Sequence, residues 1–194
     1  MVGRRTNETN TRSAKSHFGN ILINLMPGQL TTFARFCSLR HLDLNIILLG
    51  TGQPEIEEAM RTLERQYKNK FRAELHYAED FAHELYAGSD FLLAPSHYEP
   101  CGLIQMIAMR YGTIPVAAKT GGLADTIKDS KTGFLFPKDS SDGLLHAIRR
   151  ALAVYGKKSE YRQMQERAMK EDFSWDNSAE KYKELYAEML KPEK

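Results

Sequence analysis

From Ile21 onward, short apolar runs alternate with longer stretches whose apolar residues recur at helical spacing. The runs predict strands at 21–25, 44–49, 73–77, 90–94, 114–118 and 133–136. The second reads LNIILL, apolar almost throughout, which suits a strand covered on both faces. Between the strands, Ile56, Met60, Leu63 and Tyr67 recur at spacings of four, three and four and so share one helix face, with Glu57 and Arg61 on the opposite side. Similar stripes run through Leu144, Leu145, Ile148, Leu152 and Tyr155, and through Tyr182, Leu185, Tyr186 and Met189. After Phe136 the pattern becomes consecutive helices, with Ser174 placed to cap the last one; these helices are expected to pack across the sheet or reach toward a neighbour.

Regular alternation of strand and helix predicts an α/β fold: a Rossmann-like, mostly parallel sheet with helices on both faces. In such sheets ligands bind beyond the carboxyl ends of the strands. The first twenty residues break the pattern. They carry Arg4, Arg5, Arg12 and Lys15 against Glu8 alone and have almost nothing to bury, so 1–20 reads as a disordered basic tail and 21–194 as one domain.

The whole chain of 194 residues has 27 Lys+Arg and 25 Asp+Glu, so once the tail is set aside the body is close to neutral. Nucleic acid is therefore not an expected partner, because phosphate contacts need a concentrated positive surface. No apolar stretch approaches the roughly 18 residues of a membrane span. Two cysteines, Cys37 and Cys101, cannot form a disulfide framework, which makes a reducing compartment the default. A cytoplasmic location is expected, with a plastid kept open by the faint likeness of the Arg- and Ser-containing start to a transit peptide.

Two loops at strand ends concentrate the candidate chemistry. After the 90–94 strand comes Pro95-Ser96-His97-Tyr98-Glu99-Pro100-Cys101-Gly102-Leu103. Glu99 stands between two prolines, Pro100 restricts it to extended backbone, and Gly102 permits close approach of a ligand. It either serves a ligand in the crevice or solvates the loop and favours the following helix dipole. After the 114–118 strand, Lys119-Thr120-Gly121-Gly122-Leu123 offers free amides to an anion, or forms an ordinary tight turn. Together, the two loops on consecutive units would present a carboxylate to hydroxyls and amides to phosphate, a combination suited to a nucleotide-sugar.

Other constellations are missing. The six histidines are scattered, with neither HExxH nor a Cys/His cluster at zinc spacing, so no metal is expected. GxGxxG after the first strand, GxxxxGK[ST] and GxSxG are all absent, which argues against a nicotinamide enzyme, a P-loop NTPase and an α/β-hydrolase. Cys101 reads as a small packing or ligand-lining residue rather than a nucleophile, and Trp175, Tyr182 and Tyr186 as core and interface filler.

The run from Pro95 to Gln105, followed by Ala108-Met109-Arg110-Tyr111-Gly112-Thr113, Lys119 to Thr126, Lys131-Thr132-Gly133-Phe134 and Phe173-Ser174-Trp175, resembles the C-terminal half of bacterial glycogen synthases and plant starch synthases. The likeness covers about 44–186. It implies one half of a two-domain GT-B fold and a retaining transfer of glucose from ADP-glucose, or UDP-glucose in some members, to the non-reducing end of an α-1,4-glucan. By the resemblance, Glu99 contacts the donor glucose and stabilises the transition state, while Cys101, Gly102 and Leu103 line the donor pocket. Gln105 occupies a place seen in the glycogen synthase branch, the amides of Thr120, Gly121 and Gly122 hold the phosphates, and Tyr77 stacks on the adenine. The family uses no metal.

Departures from the family pattern accompany the likeness. The position eight after Glu99 is Ile107, where related glycosyltransferases carry a second glutamate. The Arg and Lys that the family places after the first strand are absent from Asn24-Leu25-Met26-Pro27-Gly28-Gln29-Leu30, with Arg35 and Arg40 the nearest substitutes. Losing charge-assisted contacts to a leaving diphosphate weakens transition-state stabilisation. The N-terminal domain that bears the family's acceptor surface is also expected to be missing. A catalytically inactive remnant or binding module that keeps the fold is the alternative reading.

Overall fold

The computed structural model describes residues 19–25, 42 and 44–191. Strands β1 (Gly19–Leu25), β2 (Leu44–Gly50), β3 (Phe71–Glu74), β4 (Phe91–Ala94), β5 (Ile114–Ala118) and β6 (Phe134–Phe136) form one sheet. Every pairing is parallel, in the spatial order β3-β2-β1-β4-β5-β6. The chain lays down three strands in one direction, then returns to β1 and builds outward the other way. The reversal lies between β1 and β4, where Ile21 pairs with Phe91 and Ile23 with Leu93. That junction is the switch point at which an open parallel sheet leaves a crevice for a ligand.

Seven helices follow among the described residues: α1 (Pro54–Gln66), α2 (Glu79–Gly88), α3 (Ile104–Arg110), α4 (Gly121–Thr126), α5 (Ser141–Tyr155), α6 (Lys158–Met169) and α7 (Trp175–Met189). Alternate strand residues point to opposite faces, so the apolar strands need cover on both sides. On one face Ile23, Leu48, Leu93, Val116 and Phe134 meet Met60 of α1, Ile148 of α5 and Met164 of α6. On the other, Leu22, Leu49 and Leu92 meet Leu85 and Tyr86 of α2 and Ala108 of α3, while Leu123 of α4 packs with Ala94 and Ala117. The doubly covered sheet expected from the pattern is the observed fold. Ser140 caps α5, its Oγ accepting from the Gly143 amide at 3.0 Å, and Ser174 caps α7 through the Asn177 amide at 3.3 Å.

Three expectations change. The third strand is Phe71–Glu74, not 73–77, because its partner β2 ends at Gly50 and the register pairs Leu49 with Glu74. Beyond that pair β2 turns away toward α1 and offers no ladder to residues 75–77. The first strand begins at Gly19, inside the expected tail, and residues 1–18 lie outside the described residues. Finally, α5 and α6 pack on the sheet but α7 buries no residue at all. Trp175, Tyr182 and Tyr186 are 85%, 56% and 59% exposed, so they are not core. Among the described residues no helix is long and apolar enough to cross a membrane.

Candidate functional site

Strand β4 is buried along its whole length and delivers the loop 95–103 to the switch point. Ser96, at the base of the loop, is 1% exposed, and its Oγ has no partner among the described residues. The loop is attached from several sides. From the β5 side, the Gly122 amide donates to the Glu99 carbonyl at 2.9 Å, and the Thr120 hydroxyl lies 3.4 Å from the His97 carbonyl. From below, Gln105 Nε2 donates to the carbonyls of Gly102 (2.6 Å) and Cys101 (3.1 Å) and reaches Thr126 Oγ1 at 3.1 Å. Thr126 in turn donates to the Gly122 carbonyl at 2.6 Å, so one small network joins both candidate loops. From the β6 side, His97 Nδ1 pairs with the Asp139 carboxylate.

The glycines have a definite reason to be glycines. A Cβ on Gly121 would collide with the Glu99 carbonyl oxygen, and one on Gly122 with the carbonyl of Cys101. Both obstacles are backbone atoms, so neither clash can be relieved by turning a side chain. Gly102 has φ +72°, and a Cβ there would stand 2.9 Å from Glu99 Cγ. The Glu99 side chain therefore lies close over Gly102. Its carboxylate has no hydrogen-bond or ion-pair partner among the described residues, although the backbone of its loop is pinned on three sides.

The structure brings Glu99, Cys101, Gly102, Gln105, Thr120, Gly121 and Gly122 into this one cluster. Cys101 is a free, exposed thiol and Leu103 is 66% exposed, so neither is packing filler. Gln105 is fully buried beneath the loop, and its Oε1 is unpartnered among the described residues. The three amides expected to face phosphate differ: that of Thr120 donates to the Ala118 carbonyl and that of Gly122 to Glu99, whereas that of Gly121 has no partner among the described residues. Tyr77 stands apart. It lies past β3, 83% exposed, and β3 is three strand positions from β4, a separation of roughly 14 Å at about 4.8 Å per strand.

Asp139 is the residue that sequence reasoning missed, because nothing in PKDSS signals a partner in the loop after β4. Residues 26–30, where the family's two cations were sought, and Arg35 and Arg40 lie outside the described residues. Among the described residues no three His, Cys, Asp or Glu side chains are grouped closely enough to hold a metal ion. Beside the loop a groove of about 460 Å³ runs between α3 and the segment joining α6 to α7, lined by Leu103, Met106, Ile107, Arg110 and Phe173 among others.

The parallel sheet with a loop cluster at its switch point defines a Rossmann-like ligand-binding domain of the kind that forms one half of a GT-B glycosyltransferase. Residues 27–171 match the family of group 1 glycosyl transferases, and the chain belongs to that family. The match begins earlier than residue 44, where the resemblance had been expected to start. A glycogen synthase of Thermodesulfovibrio yellowstonii is 50% identical over 147 residues, which is 76% of this chain and 30% of that protein. A glycogen synthase of Lactococcus lactis is 49% identical over 154 residues, 76% of this chain and 32% of that protein. Among solved structures, the catalytic domain of starch synthase IV from Arabidopsis thaliana, bound to ADP and acarbose, superimposes with a TM-score of 0.78 at 36% identity. That match covers 91% of this chain and 39% of the other. The chain thus spans about a third of the length of the curated relatives it matches.

Proposed function

We propose that this domain binds the donor of a glycogen/starch synthase-type enzyme, taking glucose from ADP-glucose, or from UDP-glucose, for the non-reducing end of an α-1,4-glucan. The observation that carries the reading is the unpaired Glu99 carboxylate, held at the switch point by a loop whose backbone is seated on Gly121 and Gly122. Glu99 accepts hydrogen bonds from the donor glucose hydroxyls and stabilises the positive charge that develops at the anomeric carbon. That carbon's bond to the diphosphate breaks as its bond to the acceptor oxygen forms on the same face of the sugar, and the acceptor hydroxyl's proton passes to the leaving diphosphate. Gly121 offers its amide to the diphosphate, and Cys101, Gly102 and Leu103 line the sugar's side of the crevice. Tyr77 receives the base; its separation from Glu99 calls for an elongated ligand, which a nucleotide-sugar is. The ADP in the starch synthase IV structure supports adenine as that base. No metal is required in this reading, because protein donors stabilise the leaving group.

Transfer needs the second GT-B domain, which faces the crevice and contributes the acceptor surface. A remnant that binds but does not transfer is the second reading, favoured by the lack of Arg and Lys in 24–30. Isothermal titration with ADP, ADP-glucose and UDP-glucose tests the binding step, with heat expected for at least one. No heat at millimolar ligand would sink the proposal. Adding the N-terminal domain of a relative then separates the two readings: glucosyl transfer to glycogen rejects the remnant.

A further inference from the structure

We infer that Asp139 is a positioning residue for the Glu99 loop, acting from the loop after β6 through His97. The inference rests on the donor-binding reading above. Three features of the structure carry it. His97 stands two residues before Glu99 and is gripped twice: its carbonyl faces the Thr120 hydroxyl, and its ring nitrogen Nδ1 pairs with the Asp139 carboxylate. Those grips come from the loops after β5 and β6, the strands next in order beyond β4, so the ends of three neighbouring strands are stitched in a row. The third feature is the backbone of Asp139, which is left-handed with φ +59°.

Left-handed backbone disfavours a residue with a Cβ, and an exposed turn would ordinarily hold glycine there. Aspartate is among the side chains that tolerate it best. At this position the strained backbone carries the carboxylate to His97, while the next residue, Ser140, caps α5. The turn therefore links the start of a sheet-packed helix to the loop that carries Glu99. Both partners of the pair are substantially exposed, 41% for His97 and 51% for Asp139. Exposed pairs of this kind add little to folding stability, so the consequence falls on where the loop sits.

This separation of effects gives the test. Asp139→Gly removes the carboxylate while keeping a backbone that glycine adopts freely, and Asp139→Asn keeps an oxygen for Nδ1–H but no charge. Ser130→Gly is the matched control, a second non-glycine residue with left-handed backbone (φ 61°) in a different loop. For Asp139→Gly the urea midpoint should stay at the wild-type value, the amide resonances of Tyr98, Glu99 and Gly122 should move, and ADP affinity should fall about threefold to tenfold, as misplaced contact groups do. Asp139→Asn should recover part of the loss, and Ser130→Gly should leave both the resonances and the affinity unchanged. Unmoved loop resonances in Asp139→Gly, or a loss of affinity equal to that of Ser130→Gly, overturns the inference. If the wild-type chain binds no ADP, the donor-binding reading fails by itself, and the loop resonances still decide the role of Asp139.

Discussion

Two glycines of the candidate site show how single residues carry the geometry. Gly122 has backbone of the Cys101 turn where a Cβ would be, whereas Gly88, at the end of α2, has nothing within 4 Å of its Cβ position. Gly122→Ala should therefore cost about 1–3 kcal/mol, because the Glu99 loop itself must shift. Gly88→Ala should stabilise by about 0.4–1 kcal/mol through the reduced freedom of the unfolded chain. Urea unfolding of the two variants checks the contrast. A second residue-scale prediction concerns Tyr161, whose hydroxyl donates to the Asp90 carbonyl at 2.7 Å. Burial, reinforced by Asp90 and then Tyr155, holds its phenol far above the usual range. The unfolded chain therefore releases this proton first, near pH 10, while the folded protein keeps it. The contribution is complete below about pH 10 and declines above it by about 1.4 kcal/mol per pH unit for this group. Tyr161→Phe should flatten that decline in the pH dependence of unfolding. Its cost at neutral pH should be only about 1 kcal/mol, because the Asp90 carbonyl retains the Ile114 amide at 3.0 Å.

At the scale of elements, the apolar stripes of α1 and α5 identified buried faces correctly, with Met60, Leu144 and Ile148 all in the core. The same pattern in α7 did not. Periodicity reports that a helix has an apolar face but not which surface covers it, and the face of Tyr182, Leu185, Tyr186 and Met189 stays largely exposed among the described residues. Truncation after Ser174 should accordingly change the unfolding free energy by less than about 1 kcal/mol, measured in urea. A large loss of stability would show that α7 packs on the body. The third strand failed for a related reason. LHY continues the apolar pattern past Glu74, but strand length is set by the partner, and β2 ends at Gly50.

For the molecule as a whole, the switch point between β1 and β4 decides which loops matter, and it places the Glu99 loop at the crevice. One domain provides one wall of such a crevice. On the proposed donor-binding reading, and with the second domain supplied, Glu99→Gln should lower glucosyl transfer by about 10²–10³ while leaving ADP affinity close to wild type, because ADP lacks the glucose on which the proposed role acts. Transfer at the wild-type rate would remove Glu99 from the chemistry.

The amino-acid sequence by itself determined the parallel α/β sheet and the pair of loops that form the candidate site. Both are local signals, written in the spacing of apolar residues and in PSHYEPCGL and KTGGL. Only the tertiary structure decided what those loops do to each other. Gly121 and Gly122 seat the backbone of the Glu99 turn, Gln105 is a buried anchor, and Asp139 reaches His97 across two strand ends. These are contacts between residues far apart in the chain, fixed by strand order, and no local pattern encodes them.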